Sequence, residues 1–162
     1  MKKLIVSFAL MVITLASYAQ VYKMYSTRNY HNQLRLNTMT GEVQQIQDDG
    51  QSWIVCSARE ISGDKESRFR LYETQNMWTF ILLDSYNGRL WQVQYSAQDL
   101  DNLFCIPINK YELVSDNENC IFSIQPLTSM YQYYLINDRT GDMWKFQWST
   151  KGDDYRWIEK FK

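Results

Sequence analysis

The chain is predicted to be all-β, with three repeated antiparallel units of about four strands each, packed as β-propeller-like blades. Three observations predict this class. Two long segments align with one another without a gap. Helical periodicity is nearly absent after residue 20. Each unit also contains apolar runs and period-2 alternation of strand length.

The repeat is explicit. Residues 67–96 and 120–149 are related by a shift of 53, with seven of thirty columns identical, among them Phe69/Phe122, Leu82/Leu135, Gly88/Gly141 and Trp91/Trp144. Residues 20–49 and 67–96 are related by a shift of 47, again with seven of thirty columns identical, among them Tyr25/Tyr72, Gly41/Gly88 and Gln45/Gln92. Ordinary residue usage would give about two. The units are about 20–66, 67–119 and 120–162. Together they form one predicted domain, large enough to bury a core.

Each unit reads as strand, strand, turn, strand, strand. In the second, Phe69 to Tyr72 alternates with arginine. Phe80-Ile81-Leu82-Leu83 is a continuous apolar run, the signature of a strand buried on both faces. Trp91 to Tyr95 alternates strictly, as a strand with one buried face does. Phe104 to Ile108 contains Pro107, which places it at an edge. The third unit repeats the plan with Tyr133–Ile136, Trp144–Trp148 and Trp157–Phe161. In the first unit Gln33 to Leu36 alternates, so its second strand is expected to be more exposed.

The central turn of each unit runs from Asn37 to Gly41, from Asp84 to Gly88 and from Asn137 to Gly141. The leading Asp or Asn can accept from a backbone N–H two residues on, and the glycine supplies the positive φ of a type I turn with a bulge. This accounts for Asp84 without a catalytic or calcium-binding role, and Asp138 lies in the same kind of turn. Three such units can also close as a β-trefoil, the alternative to blade-like packing.

Residues 1–20 carry Lys2 and Lys3 near the start, then an apolar stretch of thirteen residues from Leu4 to Ala16, then Ser17-Tyr18-Ala19. This is the order of a helical secretory signal peptide cleaved after Ala19, giving a domain over 20–162 and an exported protein, periplasmic, outer-envelope or extracellular. A stretch of thirteen residues falls short of the roughly 20 that a membrane span needs, so no stable span is expected after cleavage. Removing Lys2 and Lys3 from the 17 basic residues leaves a net charge of about −3 against 18 acidic ones. That balance does not suit nucleic acid. Of Cys56, Cys105 and Cys120, the last two flank a short connection and are the favoured pair, with three free thiols as the alternative. No CxxC or other metal-ligand spacing is present, and no cofactor motif.

The segment Leu83-Asp84-x-x-x-Gly88-x-x-Trp91 resembles the LDxxTGxxW-type hairpin of uncharacterised secreted bacterial repeat proteins, and Ile136-Asn137-x-x-Thr140-Gly141-x-x-Trp144 matches it more loosely. The phrase Leu71 to Trp78 followed by Trp91 to Tyr95 carries the same resemblance. It covers about residues 66–162 and implies propeller-like units with no assigned activity. Quinoprotein-type propeller blades have a similar hairpin, usually with one more residue between glycine and tryptophan.

His31 is the single histidine and shares a column with Trp78 and Tyr131. No nucleophile elbow or catalytic cluster accompanies it, so no catalytic residue is assigned. Trp91, Val93 and Tyr95 share one strand face, with Gln92 and Gln94 opposite. The rings read as core and the glutamines as solvated. Trp78, Tyr131 and Tyr133, near the starts of second strands, are the candidate exposed contacts, with His31. The expected function is non-enzymatic binding of a protein or glycan. The alternatives are a structural subunit of an oligomer and an unidentified hydrolase.

Overall fold

The computed structural model describes residues 20–97, 99–116 and 121–161. The expected signal segment, residues 1–19, lies outside the described residues, as does Cys120. Among the described residues no helix is long and apolar enough to cross a membrane.

The twelve strands form three four-stranded antiparallel sheets, each a meander of consecutive strands. Sheet 1 contains β1 (Tyr22–Ser26), β2 (Asn32–Asn37), β3 (Val43–Gln47) and β4 (Ser52–Cys56). Sheet 2 contains β5 (Phe69–Glu73), β6 (Thr79–Asp84), β7 (Leu90–Gln94) and β8 (Phe104–Pro107). Sheet 3 contains β9 (Phe122–Pro126), β10 (Gln132–Asn137), β11 (Met143–Gln147) and β12 (Trp157–Lys160). Every unit keeps its strands in its own sheet, which is the blade arrangement and not the trefoil. Pro107 ends the edge strand β8, where its missing N–H costs no ladder bond.

The sheets stack face to face in chain order. One core joins sheets 1 and 2 and includes Leu34, Leu36, Phe80, Leu82, Trp91 and Val93. A second joins sheets 2 and 3 and includes Ile81, Leu83, Leu90, Leu135, Trp144 and Phe146. Sheet 2 is thus covered on both sides. That explains why all six residues of β6 are buried, whereas β2 and β10 alternate. Each fully buried Leu or Phe contributes roughly 1.5–3 kcal/mol, so stability concentrates at these two junctions. Among the described residues no core cluster joins sheet 3 to sheet 1, and the stack is open.

The three central turns have the expected chemistry. Asn37 Oδ1 accepts from the N–H groups of Met39 and Thr40, Asp84 Oδ1 from Tyr86, and Asn137 Oδ1 from Arg139 and Thr140. Gly41, Gly88 and Gly141 have φ of 79°, 76° and 76°. The turns also tie one unit to the next. Phe69 N–H donates to the Thr38 carbonyl at 2.9 Å, and Phe122 N–H donates to the Ser85 carbonyl at the same distance. Both pairs occupy the same repeat columns.

Gln92 is a correction to the sequence reading: it is fully buried, not solvated, as is Gln45 in the same column, while Gln94 is half-buried. Gln45 Oε1 accepts from Ser96 N–H at 3.2 Å, and Gln45 Nε2 donates to the Ser96 carbonyl at 2.6 Å. Gln92 Oε1 accepts from Ser149 N–H at 3.2 Å. Each amide reaches out of its own sheet to the backbone that leaves the next sheet's third strand.

The cysteine pairing also differs from expectation. Cys105 is bonded to Cys56, not to Cys120. Cys56 ends β4 and Cys105 lies in β8, and the packing of sheets 1 and 2 brings their Cα atoms to 5.2 Å. Short sequence separation was therefore the wrong guide. A further difference is a single helical turn, α1 (Ala58–Ile61), capped by Ser57 in the link between units 1 and 2. Four residues are too few to show helical periodicity.

Asp84 has a partner that its turn does not explain. Arg68 Nε donates to Asp84 Oδ2 at 2.8 Å, while its Nη1 and Nη2 reach both oxygens of Asp116 at 2.7 and 3.0 Å. Burial pushes the Asp84 carboxyl up, against the pull of Arg68. Arg68 fastens the start of sheet 2 to the segment leading to sheet 3.

Candidate functional site

The same end of each unit carries a recess built from the same three repeat columns. The first column is the residue ahead of the second strand: His31, Trp78 or Tyr131. The second is the last residue of the third strand: Gln47, Gln94 or Gln147. The third is the residue after it: Asp48, Tyr95 or Trp148. The backbone brings the first and third together identically, because Asp48, Tyr95 and Trp148 donate their N–H to the carbonyls of His31, Trp78 and Tyr131 at 3.0, 3.1 and 3.1 Å.

In units 2 and 3 this pairing sets two rings against each other, tilted, at the mouth of the recess. Trp78 and Tyr95 have centroids 5.3 Å apart at 53°, and Tyr131 and Trp148 4.9 Å apart at 52°. The second ring is buried in each case and supports the first. Trp148 Nε1 donates to the Met130 carbonyl at 3.0 Å. Burial raises the proton affinity of the Tyr95 hydroxyl, which keeps it neutral. Trp78 is half-buried and Tyr131 is exposed at the surface.

The glutamine fixes the far wall. Gln94 Nε2 donates to the Asn102 carbonyl at 3.5 Å, and Gln147 Nε2 to the Tyr155 carbonyl at 3.0 Å. Asn102 and Tyr155 end equivalent 3-10 turns, Leu100–Asn102 and Asp153–Tyr155. Asp99 caps the first of these turns by accepting from Asp101 N–H at 3.0 Å and Asn102 Nδ2 at 2.6 Å.

The unit 2 recess is the largest, about 590 Å³, open to solvent, and lined by Trp78, Gln94, Tyr95, Asp99 and Asn102, with Asn29 from unit 1. The unit 3 recess is about 120 Å³, with Tyr131, Gln147, Trp148, Lys151 and Tyr155 on its walls. In unit 1 a tight turn replaces the longer connection, and the recess is about 160 Å³. There the ring pair is replaced by a hydrogen-bonded pair, His31 Nδ1 to Asp48 Oδ2 at 2.6 Å. The His31 hydrogen bond holds Asp48 below its ordinary value of 3.8. The lining residues of this recess include no Ser, Thr or Cys beside that pair.

Three of the four residues singled out from the sequence therefore fall in equivalent positions: His31, Trp78 and Tyr131. Tyr133 does not. It is 3% exposed and stacks on Phe146 at 5.5 Å within the core of sheets 2 and 3. Its position in β10 turns it toward sheet 2. Sequence reasoning missed Gln94 and Gln147 as wall residues, although their shared column was visible. It could not place Asn29, which comes from the neighbouring unit.

Chemically, these recesses offer an accessible aromatic face beside amide and carboxylate groups. Among the described residues no group of three or more His, Cys, Asp or Glu is placed to hold a metal ion. No protein-family model matches the chain, and neither a curated protein nor a solved structure does.

Proposed function

We propose that this is an exported, non-enzymatic binding protein whose ligand is a glycan held at the Trp78 cleft. The observation that carries the reading is the supported aromatic ring beside convergent polar groups. A pyranose ring has an apolar face that packs on an indole, and its hydroxyls bond amides and carboxylates. Asn29, Gln94, Asp99 and Asn102 supply such groups around Trp78. The volume lies within the range of small-ligand sites, roughly 300–1,000 Å³. Tyr95 behind Trp78 fixes the ring before binding, which reduces the ordering cost.

Export is supported by the order of residues 1–20 and by the Cys56–Cys105 disulfide, because disulfides persist mainly in oxidising compartments. The resemblance of the Asp84–Trp91 hairpin to those of secreted repeat proteins points the same way.

A glycan array followed by calorimetry with the best oligosaccharide tests the ligand class. Trp78→Ala is expected to weaken binding about ten-fold or more, as removal of a central aromatic anchor does. Absence of any glycan ligand for the folded protein would overturn the reading, as would hydrolytic turnover abolished by His31→Ala.

A further inference from the structure

The two internal junctions of the stack use one set of contacts, and both ends of the stack display the unmatched halves of that set. At each junction the outgoing unit contributes a central-turn carbonyl, Thr38 or Ser85, and the incoming unit contributes the first N–H of its first strand, Phe69 or Phe122. The outgoing turn glycine is covered by the incoming phenylalanine: a Cβ on Gly41 would press on Ile61 and Phe69, and one on Gly88 on Leu113 and Phe122. The outgoing glutamine, Gln45 or Gln92, reaches the backbone of Ser96 or Ser149.

Unit 3 presents the outgoing half again. A Cβ on Gly141 would meet nothing within 4 Å. On the outer face of sheet 3, Tyr134, Ile136 and Met143 occupy the columns of Ile81, Leu83 and Leu90, and are only half-buried. In the glutamine column stands Lys145. Unit 1 presents the incoming half. Tyr22 and Met24 occupy the columns of Phe69 and Leu71 and are 51% and 48% exposed. The column of Ser96 and Ser149 holds Asp49, beside Asp48. Where the internal junctions pair a neutral amide with backbone, one end carries the cation Lys145, with Glu159 opposite it in register, and the other carries Asp49, whose carboxylate accepts from the N–H and Nε2 of Gln51.

We propose that two copies of this chain associate head to tail, the outer face of sheet 3 in each docking on the outer face of sheet 1 in the other, so that six sheets close a ring. Charge complementarity between Lys145 and Asp49 selects this partner. The inward columns of Phe80, Leu82 and Trp91 are Gln33, Arg35 and Gln44 in unit 1, and Arg35 Nη2 donates to Gln44 Oε1 at 2.5 Å. This junction is therefore more polar than the internal ones, as befits a face that must also be soluble in the free chain. A two-fold axis repeats the contact twice, so that every end is matched. Six sheets lie within the usual propeller range of about 4–8 blades.

The test is solution mass by light scattering, across protein concentrations, on the purified protein and on charge variants. The protein is expected at twice its chain mass. Lys145→Glu and Asp49→Lys should each shift it to monomer. Asp49→Asn keeps a side-chain acceptor for Gln51 N–H, now served at 2.9 Å, and separates loss of charge from loss of the turn. An equimolar mixture of Lys145→Glu and Asp49→Lys should return to dimer, since each junction then pairs opposite charges. A monomer at all concentrations would overturn the proposal. So would a dimer that neither variant disturbs, or one that mixing does not restore. The readout is independent of glycan binding, so the two proposals can fail separately.

Discussion

Gln45 grips the main chain of Ser96 from both sides, accepting from its N–H at 3.2 Å and donating to its carbonyl at 2.6 Å. The contact joins residues 51 positions apart in two different sheets, and Gln92 repeats half of it on Ser149 one unit later. Gln45→Ala removes both bonds, together with the one that Gln45 Nε2 donates to Asn32 Oδ1 at 2.5 Å within sheet 1, and leaves partly buried groups to find other partners. The expected loss is about 1–3 kcal/mol in chemical denaturation. Gln44→Ala, on the outer face of the same strand, should cost less. Equal losses would show that the amide is not a junction contact.

Arg68 and Asp84 form the most buried ion pair among those described, with side chains 6% and 2% exposed. Removing the cation strands two carboxylates near the core, so Arg68→Leu is expected to cost about 3–5 kcal/mol. Asp84→Asn should cost less. Asparagine holds this column in units 1 and 3, keeps the bond to the Tyr86 N–H, and leaves Arg68 its two bonds to Asp116. Thermal denaturation of the two variants ranks them, and the reverse order would contradict the account.

The Cys56–Cys105 bridge closes a sequence separation of 49 residues. Loop-entropy reasoning assigns such a bridge about 4 kcal/mol. Cys56→Ser/Cys105→Ser, or reduction by a thiol, should lower the denaturation midpoint accordingly. Cys120→Ser should leave the bridge intact in peptide mapping. A Cys105–Cys120 fragment in the map would refute the pairing.

Asp48 titrates below 3.8 because of its hydrogen bond to His31. A depressed carboxyl contributes stability above its unfolded value and loses it as pH falls through the folded value. The contact should therefore persist down to pH values below 3.8 and then vanish. His31→Ala should return the Asp48 side-chain carboxyl, followed by NMR, toward the ordinary value. No change on that substitution would mean that the pair is not formed in solution.

The sheets were legible because folding imposes local signals on them. The continuous run Phe80 to Leu83 marks a strand enclosed between two sheets, and the glycine columns mark turns that need positive φ. Contacts between units were not legible in the same way. Gln92 alternates with Trp91 and Val93 and so reads as solvated, yet sheet 3 covers its face. Cys56 lies beyond the aligned part of unit 1, so no column pointed it toward Cys105. In the recesses, the first column was visible as a row of rings and one histidine. The second ring was assigned to the core, which is where it is. What escaped notice was its role as the backing of Trp78 and Tyr131.

The central claim is that the recess of unit 2, and not the aromatic core, meets a glycan. The most direct measurement follows the tryptophan indole N–H resonances while an array-selected oligosaccharide is added. Trp78 should shift with saturation, while Trp91 and Trp144, 3% and 6% exposed in the two cores, should not. Saturable binding that leaves Trp78 unmoved would contradict the account.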